Sequence, residues 1–343
     1  MAGRHPGTKR LFLVAHVGLI AGLALFTTLI AYEGLRDVTR TLASAGLGLL
    51  WVTLFHLVPL MASALGWYTL FGAAARPPFR AFGWSRWIAE SINQLLPALH
   101  VGGNIVRAQL LARRGVPGAV AGGSVVADIT LHLLAQILFT TLGLSLLLTH
   151  VGGHVLAGPV VLGLLATALT VAAFLAVQRR GLFGIMSRLI ARIMQAGDWS
   201  AMSSNADALD KAIRGFYAHR RRLGRSIVWH FLSWLLGAGE IWLALRFLGH
   251  PVPLATAVVI ESLGEAVRTA AFTVPGALGV QEGGFLLLGR VFGFTPEVAI
   301  ALSLSKRVRE VGLGVPGLVA WQVQGASALV RSRARATAPG KVG

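Results

Sequence analysis

The stretch "PGALGVQEGG", residues 275–284, decides how the second half of this chain is read. One proline, four glycines, a glutamine and a glutamate interrupt a run that is otherwise apolar. Proline and glycine both oppose a continued helix. In hydrocarbon such an irregular backbone is tolerated only where protein or a water-filled cavity satisfies its polar groups. A break here therefore implies a polar interior, provided the chain lies in a membrane.

Composition supplies that condition. Of 343 residues 55% are hydrophobic and 13% charged, against about 25% charged in soluble domains. Apolar runs of about the 20 residues needed to cross a bilayer recur at residues 11–31, 46–72, 119–148, 154–177, 227–248 and 299–323. The first is long for a signal peptide and has no small-residue cleavage pattern, so it reads as a retained span. The expected class is all-α: a polytopic membrane protein of about six full spans.

The net charge of +18 is placed as a membrane protein places it. Ten Lys/Arg lie in residues 179–225, with three before residue 11, three in 76–86, three in 107–114 and four in 331–341. The opposite loops carry almost none, since Arg36 and Arg40 are matched by Glu33 and Asp37. This bias predicts both termini in the cytoplasm of a bacterial inner membrane, with the basic face attracting anionic lipid headgroups. No aromatic-basic nucleic-acid motif appears, and no nucleic-acid partner is expected. The absence of cysteine removes thiolate and disulfide chemistry. With no HExxH either, no metal and no cofactor are expected.

Tracing crossings from the cytoplasm places a first broken segment at 84–115, where Pro97 and the pair Gly102–Gly103 separate two short apolar halves flanked by arginines. A hairpin that dips into the membrane and returns to the same side fits it. Three spans later a second one occupies 255–292, broken at 275–284. Hairpins separated by three spans open to opposite faces, the pattern of an inverted-topology repeat. The expected organisation is one membrane domain over 1–325. Its first repeat is 46–150, its second 226–325, with a cytoplasmic amphipathic loop at 178–225. A basic, disordered tail covers 326–343.

Ionisable groups inside spans cost roughly 3 kcal/mol each and are candidate functional residues. Asp128, His132 and Gln136 are spaced i, i+4, i+8 and share one helical face. Glu261, Glu265 and Arg268 form a second stripe, in which Glu265 and Arg268 are placed to pair at i, i+3. Asn104 is positioned to cap a half-helix, with Arg107 one turn in, a ready anion site. A snorkelling Arg107 is the alternative. Glu282 either caps the half-helix that follows it or faces a cavity and binds a lipid hydroxyl, amine or proton. Arg307 and Arg309, in the cluster with Lys306 and Glu310, are expected to meet Glu282 or Glu265. Glu240 has no evident local partner, and most histidines read as structural residues at the membrane interface.

These motifs resemble those of the flippase-like transmembrane family that includes the membrane region of lysylphosphatidylglycerol synthases. "PGALGVQEGG" is similar to that family's Pro-Gly-Gly-Leu-Gly-Val-Arg-Glu signature, and "NQLLPALHVGGNIVRAQLLARRG" to its first-half signature. The overall pattern looks most like the hopanoid biosynthesis-associated branch. The resemblance implies a substrate site at Asn93, Pro97, Gly103, Asn104 and Arg107 in the first hairpin and Pro275, Gly276, Gly279 and Glu282 in the second. The chain departs from the family where Asn104 replaces an acidic residue, Ala277 a glycine and Gln281 an arginine. The departures weaken the case for a strongly anionic phospholipid. The soluble aminoacyl-transfer domain of true synthases is not expected, and neither is enzymatic activity.

The function expected is therefore translocation of an amphiphilic lipid, a hopanoid or its polyol-headed derivative. Two alternatives stay open: an intramembrane enzyme using Asp128, His132 and Glu282, and a non-catalytic scaffold for lipid-synthesis enzymes.

Overall fold

The computed structural model describes residues 40, 43–73, 76–96, 102–150, 199–271, 274 and 277–336. The spans expected at 11–31 and 154–177, residues 178–198 and 337–343, and Pro97, Pro275 and Gly276 lie outside the described residues.

Ten helices are described: α1 Gly48–Phe55, α2 Leu57–Thr69, α3 Phe79–Leu95, α4 Gly102–Ala112, α5 Gly118–His150, α6 Trp199–Tyr217, α7 Arg220–Phe247, α8 Leu254–Ala270, α9 Val280–Val291 and α10 Pro296–Ala336. There is no strand among the described residues. Gly48–Thr69, Gly118–Thr149 and Arg220–Phe247 are long and apolar enough to cross a membrane.

Local chemistry sets the boundaries. Pro59 has no N–H to give Phe55, and its ring clashes with that carbonyl, so α1 and α2 are jointed at His56. The joint is shallow, because His56 N–H still donates to Val52 O at 3.2 Å. Helix α3 starts after Pro78 and stops at Leu96, whose extended backbone (φ −106°, ψ 142°) suits the residue before a proline. It starts earlier than the expected residue 84, and Arg86 belongs to this helix rather than to a basic loop. Pro296 opens α10 at the position where a missing N–H costs nothing. That helix continues through 326–336, residues assigned from sequence to a disordered tail.

In both halves the arms of a broken segment pack on each other, α3 on α4 and α8 on α9. Each second arm then packs on the helix that follows it, α4 on α5 and α9 on α10. Each first arm packs on the long helix of the other half, α3 on α10 and α8 on α5. Small residues permit these exchanged contacts. A Cβ at Gly317 would come within 2.0 Å of Ser91 Oγ on α3, and one at Gly143 within 1.7 Å of Ser262 Oγ on α8.

One apolar core joins α1 and α7 to α10 through Val52, Ile241, Leu245, Phe285 and Leu302. Another joins α2 to α5 through Trp67, Phe82, Leu111 and Leu131, with Trp67 edge-on to Phe82 at 4.9 Å. Helix α6 is docked rather than free on a surface. Its Ile213 is buried, and Phe216 meets Phe71 at 5.3 Å.

The two faces of α10 are inside out for a water-soluble protein. Val311, Val315, Val319 and Val323 lie along one exposed face, 48–63% accessible. Ser303, Lys306, Arg309 and Glu310 on the same helix are buried. Apolar groups outside and charges inside are what lipid surroundings require. The chain is a polytopic, all-helical membrane protein.

Candidate functional site

A cavity of about 400 Å³ lies among α2, α3, α4, α5, α7, α8 and α10. Four linked polar groups surround it.

The first centres on Asp128 of α5, which is fully buried. Its Oδ2 accepts from Arg107 Nη1 at 2.5 Å and Arg86 Nη1 at 2.8 Å, and its Oδ1 from His230 Nε2 at 2.9 Å. With Nε2 donating, a neutral His230 offers Nδ1 as acceptor. His132 Nδ1 lies 3.2 Å from it and Ser63 Oγ 3.3 Å. Serine, histidine and aspartate stand in a hydrolase-like order here. Ser63, however, lies inside a regular helix whose ladder uses the neighbouring N–H groups, leaving none for an oxyanion. Arg107 also lies over the Trp67 ring at 4.9 Å. It is 1% accessible, so it does not snorkel, and its Nε is buried without a partner.

The second centres on His56 at the α1–α2 joint. Its Nε2 is 2.8 Å from Glu90 Oε1, and its Nδ1 is 2.7 Å from Glu240 Oε2. Arg309 Nη1 lies over the same ring, 2.6 Å from Nδ1 and 3.1 Å from Nε2. Glu240, partnerless in the sequence, thus meets α1–α2 and α10.

In the third, Lys306 Nζ donates to Glu261 at 2.8 Å and Glu265 at 2.9 Å. In the fourth, Arg268 Nη1 donates to Glu310 at 2.6 Å and to Gln281 Oε1 at 3.0 Å. Glu265 and Arg268 therefore pair with α10, not with each other. Gln281 Nε2 donates on to Ser303 at 2.9 Å. An arginine at 281 could not accept from Arg268, so the departure from the family pattern has a local reason.

Glu282 is fully buried and folds back on the N-cap of α9, where Gly279 has no side chain to return the bond. Its Oε2 accepts from Gly279 N–H at 2.7 Å, and its Oε1 accepts from Ser303 Oγ at 3.0 Å and lies 3.3 Å from Arg307. The cavity wall does not include Glu282, Gly279 or Arg307. Those residues clasp α9 to α10. The clasp has a counterpart in the other half, where Arg107 of α4 is paired with Asp128 of α5. In each half the second arm is tied to the next long helix by an ion pair whose carboxylate is fully buried, with the signs reversed.

Of the residues singled out from sequence, Asn93, Asn104, Arg107, His132, Glu265, Arg268 and Arg309 do line the cavity, and Asp128 stands behind them. Asn93 caps α4, since its Oδ1 accepts from Gly103 N–H at 3.0 Å, and Asn104 lies within the first turn of that helix. At Gly103 the helices nearly touch: a Cβ would lie 2.1 Å from Ala89 O. Sequence reasoning missed His56, Arg86, Glu90 and His230. The available signal was an ionisable residue within an apolar helix, as in "SIVWHFLSW" around His230.

The fold and this site define a multi-span membrane protein built around a buried, ion-paired cavity. Its sequence matches the family described as lysylphosphatidylglycerol synthase TM region over residues 13–315, and the chain belongs to that family. Comparison with curated proteins and with solved structures gives no match.

Proposed function

We propose that this protein carries an amphiphilic lipid between leaflets, with the polar head passing through the cavity while the tails stay in the bilayer. The observation that carries the reading is the depth of the site. Asp128, His132 and Gln136 face inward from the middle of Gly118–His150, beginning roughly 15 Å along that helix at 1.5 Å per residue. A polar cavity at that depth suits a headgroup in transit better than a pocket at one surface. Repeated clasping of hairpin to long helix supports a two-fold arrangement, from which alternating access is built.

The lipid class that fits best is an uncharged polyol head, as on a hopanoid derivative. The residues that line the cavity balance in charge, four glutamates against four arginines, so the wall offers hydrogen bonds rather than a spare net charge. Residues 84–115 and 255–292 act as re-entrant hairpins opening to opposite faces, both termini are cytoplasmic, and the membrane is the bacterial inner one. Anionic headgroups hold the basic face, where lipid-synthesis enzymes deliver the substrate.

The test reconstitutes the full chain in phosphatidylethanolamine–phosphatidylglycerol vesicles with a tail-labelled, polyol-headed lipid. Periodate added outside cleaves only vicinal diols in the outer leaflet. Carriage predicts that the protected fraction becomes accessible while the mass of unoxidised lipid is unchanged. Persistent protection would refute carriage, and a new lipid mass before periodate would show an enzyme.

A further inference from the structure

Apart from the partnerless Arg107 Nε, the polar groups around the cavity have fixed partners except at His56. His56 Nδ1 has a carboxylate oxygen of Glu240 at 2.7 Å, and Arg309 Nη1 lies 2.6 Å from Nδ1 and 3.1 Å from Nε2, over the ring face rather than on one lone pair. The ring cannot satisfy both. With a proton on Nδ1 it donates to Glu240 and, as a cation, opposes Arg309. Without it, the Nδ1 lone pair opposes Glu240 and the neutral ring face takes Arg309. Glu240 Oε1 is correspondingly unsettled: it lies 3.3 Å from Arg309 Nε, yet is buried without a hydrogen bond.

We propose that His56 is the proton-binding site of this protein, and that one proton on Nδ1 decides whether the α1–α2 joint is tied to α7 through Glu240 or to α10 through Arg309. Three further observations support the assignment. His56 lines the cavity with its side chain 14% accessible, so water there reaches the ring. Its other nitrogen faces Glu90 of α3, which anchors the ring while Nδ1 changes partner. The ion-pair networks contain seven carboxylates against six Arg/Lys cations, so a proton on His56 brings the buried cluster to neutrality.

The charged groups facing the ring are Glu90 from α3, Glu240 from α7 and Arg309 from α10. Arg86, Lys306 and Glu310 stand behind them, each held by a carboxylate or guanidinium of its own. No other histidine has opposite charges competing for one ring among the described residues. The His132–His230–Asp128 chain satisfies a single tautomer throughout.

A proton that changes which helix holds a joint couples proton binding to the arrangement of the two halves. In a carrier, that coupling lets a proton gradient drive lipid movement. The role rests on the carrier reading, whereas the site itself does not, so two measurements separate them.

The first needs no transport. Ring-nitrogen NMR of full-length protein labelled with ¹⁵N-histidine, in phosphatidylethanolamine–phosphatidylglycerol bilayers, is assigned by loss of one signal set in His56→Gln. One histidine should change protonation at Nδ1 across roughly pH 5 to 8, the interval where histidine switches in proteins. Nδ1 held in one state throughout would overturn the proposal.

The second imposes a pH gradient on the vesicles used for lipid redistribution. Wild-type rates should depend on the direction of the gradient. His56→Gln and His56→Lys, one neutral and one permanently charged, should both lose that dependence. Dependence retained in either variant overturns the coupling. Absence of lipid movement in the wild type overturns the carrier reading and leaves the proton site to the first measurement.

Discussion

Asp128→Asn tests whether the network behind the cavity holds the helices together. One carboxylate there receives three donors: Arg107 at 2.5 Å, Arg86 at 2.8 Å and His230 at 2.9 Å. Asparagine keeps the shape and one acceptor oxygen, but removes the charge and turns an amide N–H toward a donor. Breaking a buried ion pair by removing one partner costs about 3–5 kcal/mol. Two guanidiniums lose their partner here, yet they do not count equally. The Arg107 side chain is 2% accessible and that of Arg86 14%, so Arg86 recovers part of its loss in cavity water. The expected cost is that of one pair, about 3–5 kcal/mol, rather than twice as much. Unfolding of purified protein in mixed micelles, followed by tryptophan fluorescence, measures it. Adding Arg107→Met removes the charge left unpaired, so the double variant should fall short of the sum of the singles by about 2 kcal/mol or more. A loss within about 1 kcal/mol, typical of an exposed pair, or strict additivity, would refute the reasoning.

Other substitutions probe the clasps and joints. Glu282→Gln should reduce stability and lipid redistribution together, because it loosens the α9 cap and its tie to Arg307; loss of redistribution at full stability would instead place Glu282 in the transport path. Gly103→Ala puts a methyl 2.1 Å from Ala89 O and should cost at least about 1–3 kcal/mol, as overpacking does, in the same micelle titration. Ala277 has φ +48°, a left-handed conformation costing an L-residue about 1–2 kcal/mol, so Ala277→Gly should raise stability, less glycine's larger loss of freedom on folding. For topology, single cysteines at Arg114 and His250, both exposed, should react with an impermeant thiol reagent on opposite sides: position 250 in intact cells, position 114 only in inverted vesicles. Equal labelling of both in sealed cells would remove the proposed orientation.

Much of the architecture was legible because its signals are local. Breaks at Leu96 and near Gly279 follow from proline and glycine in apolar surroundings, and the Asp128–His132–Gln136 face follows from helical spacing alone. Pairing was not legible. Arg86 reads as one more basic loop residue until α3 is seen to start at Phe79 and carry it to Asp128. His56 needs Glu90, Glu240 and Arg309, which lie 34, 184 and 253 residues away along the chain. Glu282 was the most conspicuous carboxylate in the sequence because glycines surround it, and those same glycines let it fold back on Gly279 N–H. A charge that stands out in a motif can owe its place to the turn it stabilises.

The exchanged packing of the first arms has a consequence for how the chain is made. Ser91 on α3 nests against Gly317 on α10, more than two hundred residues later. At about 5–20 residues per second of synthesis, α3 waits roughly ten to forty-five seconds for the surface that covers it. During that interval the α3–α4 hairpin has only its immediate neighbours, and its glycine-tight approach at Gly103 is what keeps it folded. The second hairpin waits only for the adjoining α10, since α5 has already been made when α8 emerges. The two halves resemble each other in the finished molecule, but the ribosome treats them differently: a defect in the first hairpin is exposed to proteases and misinsertion for most of translation, and the same defect in the second only at its end.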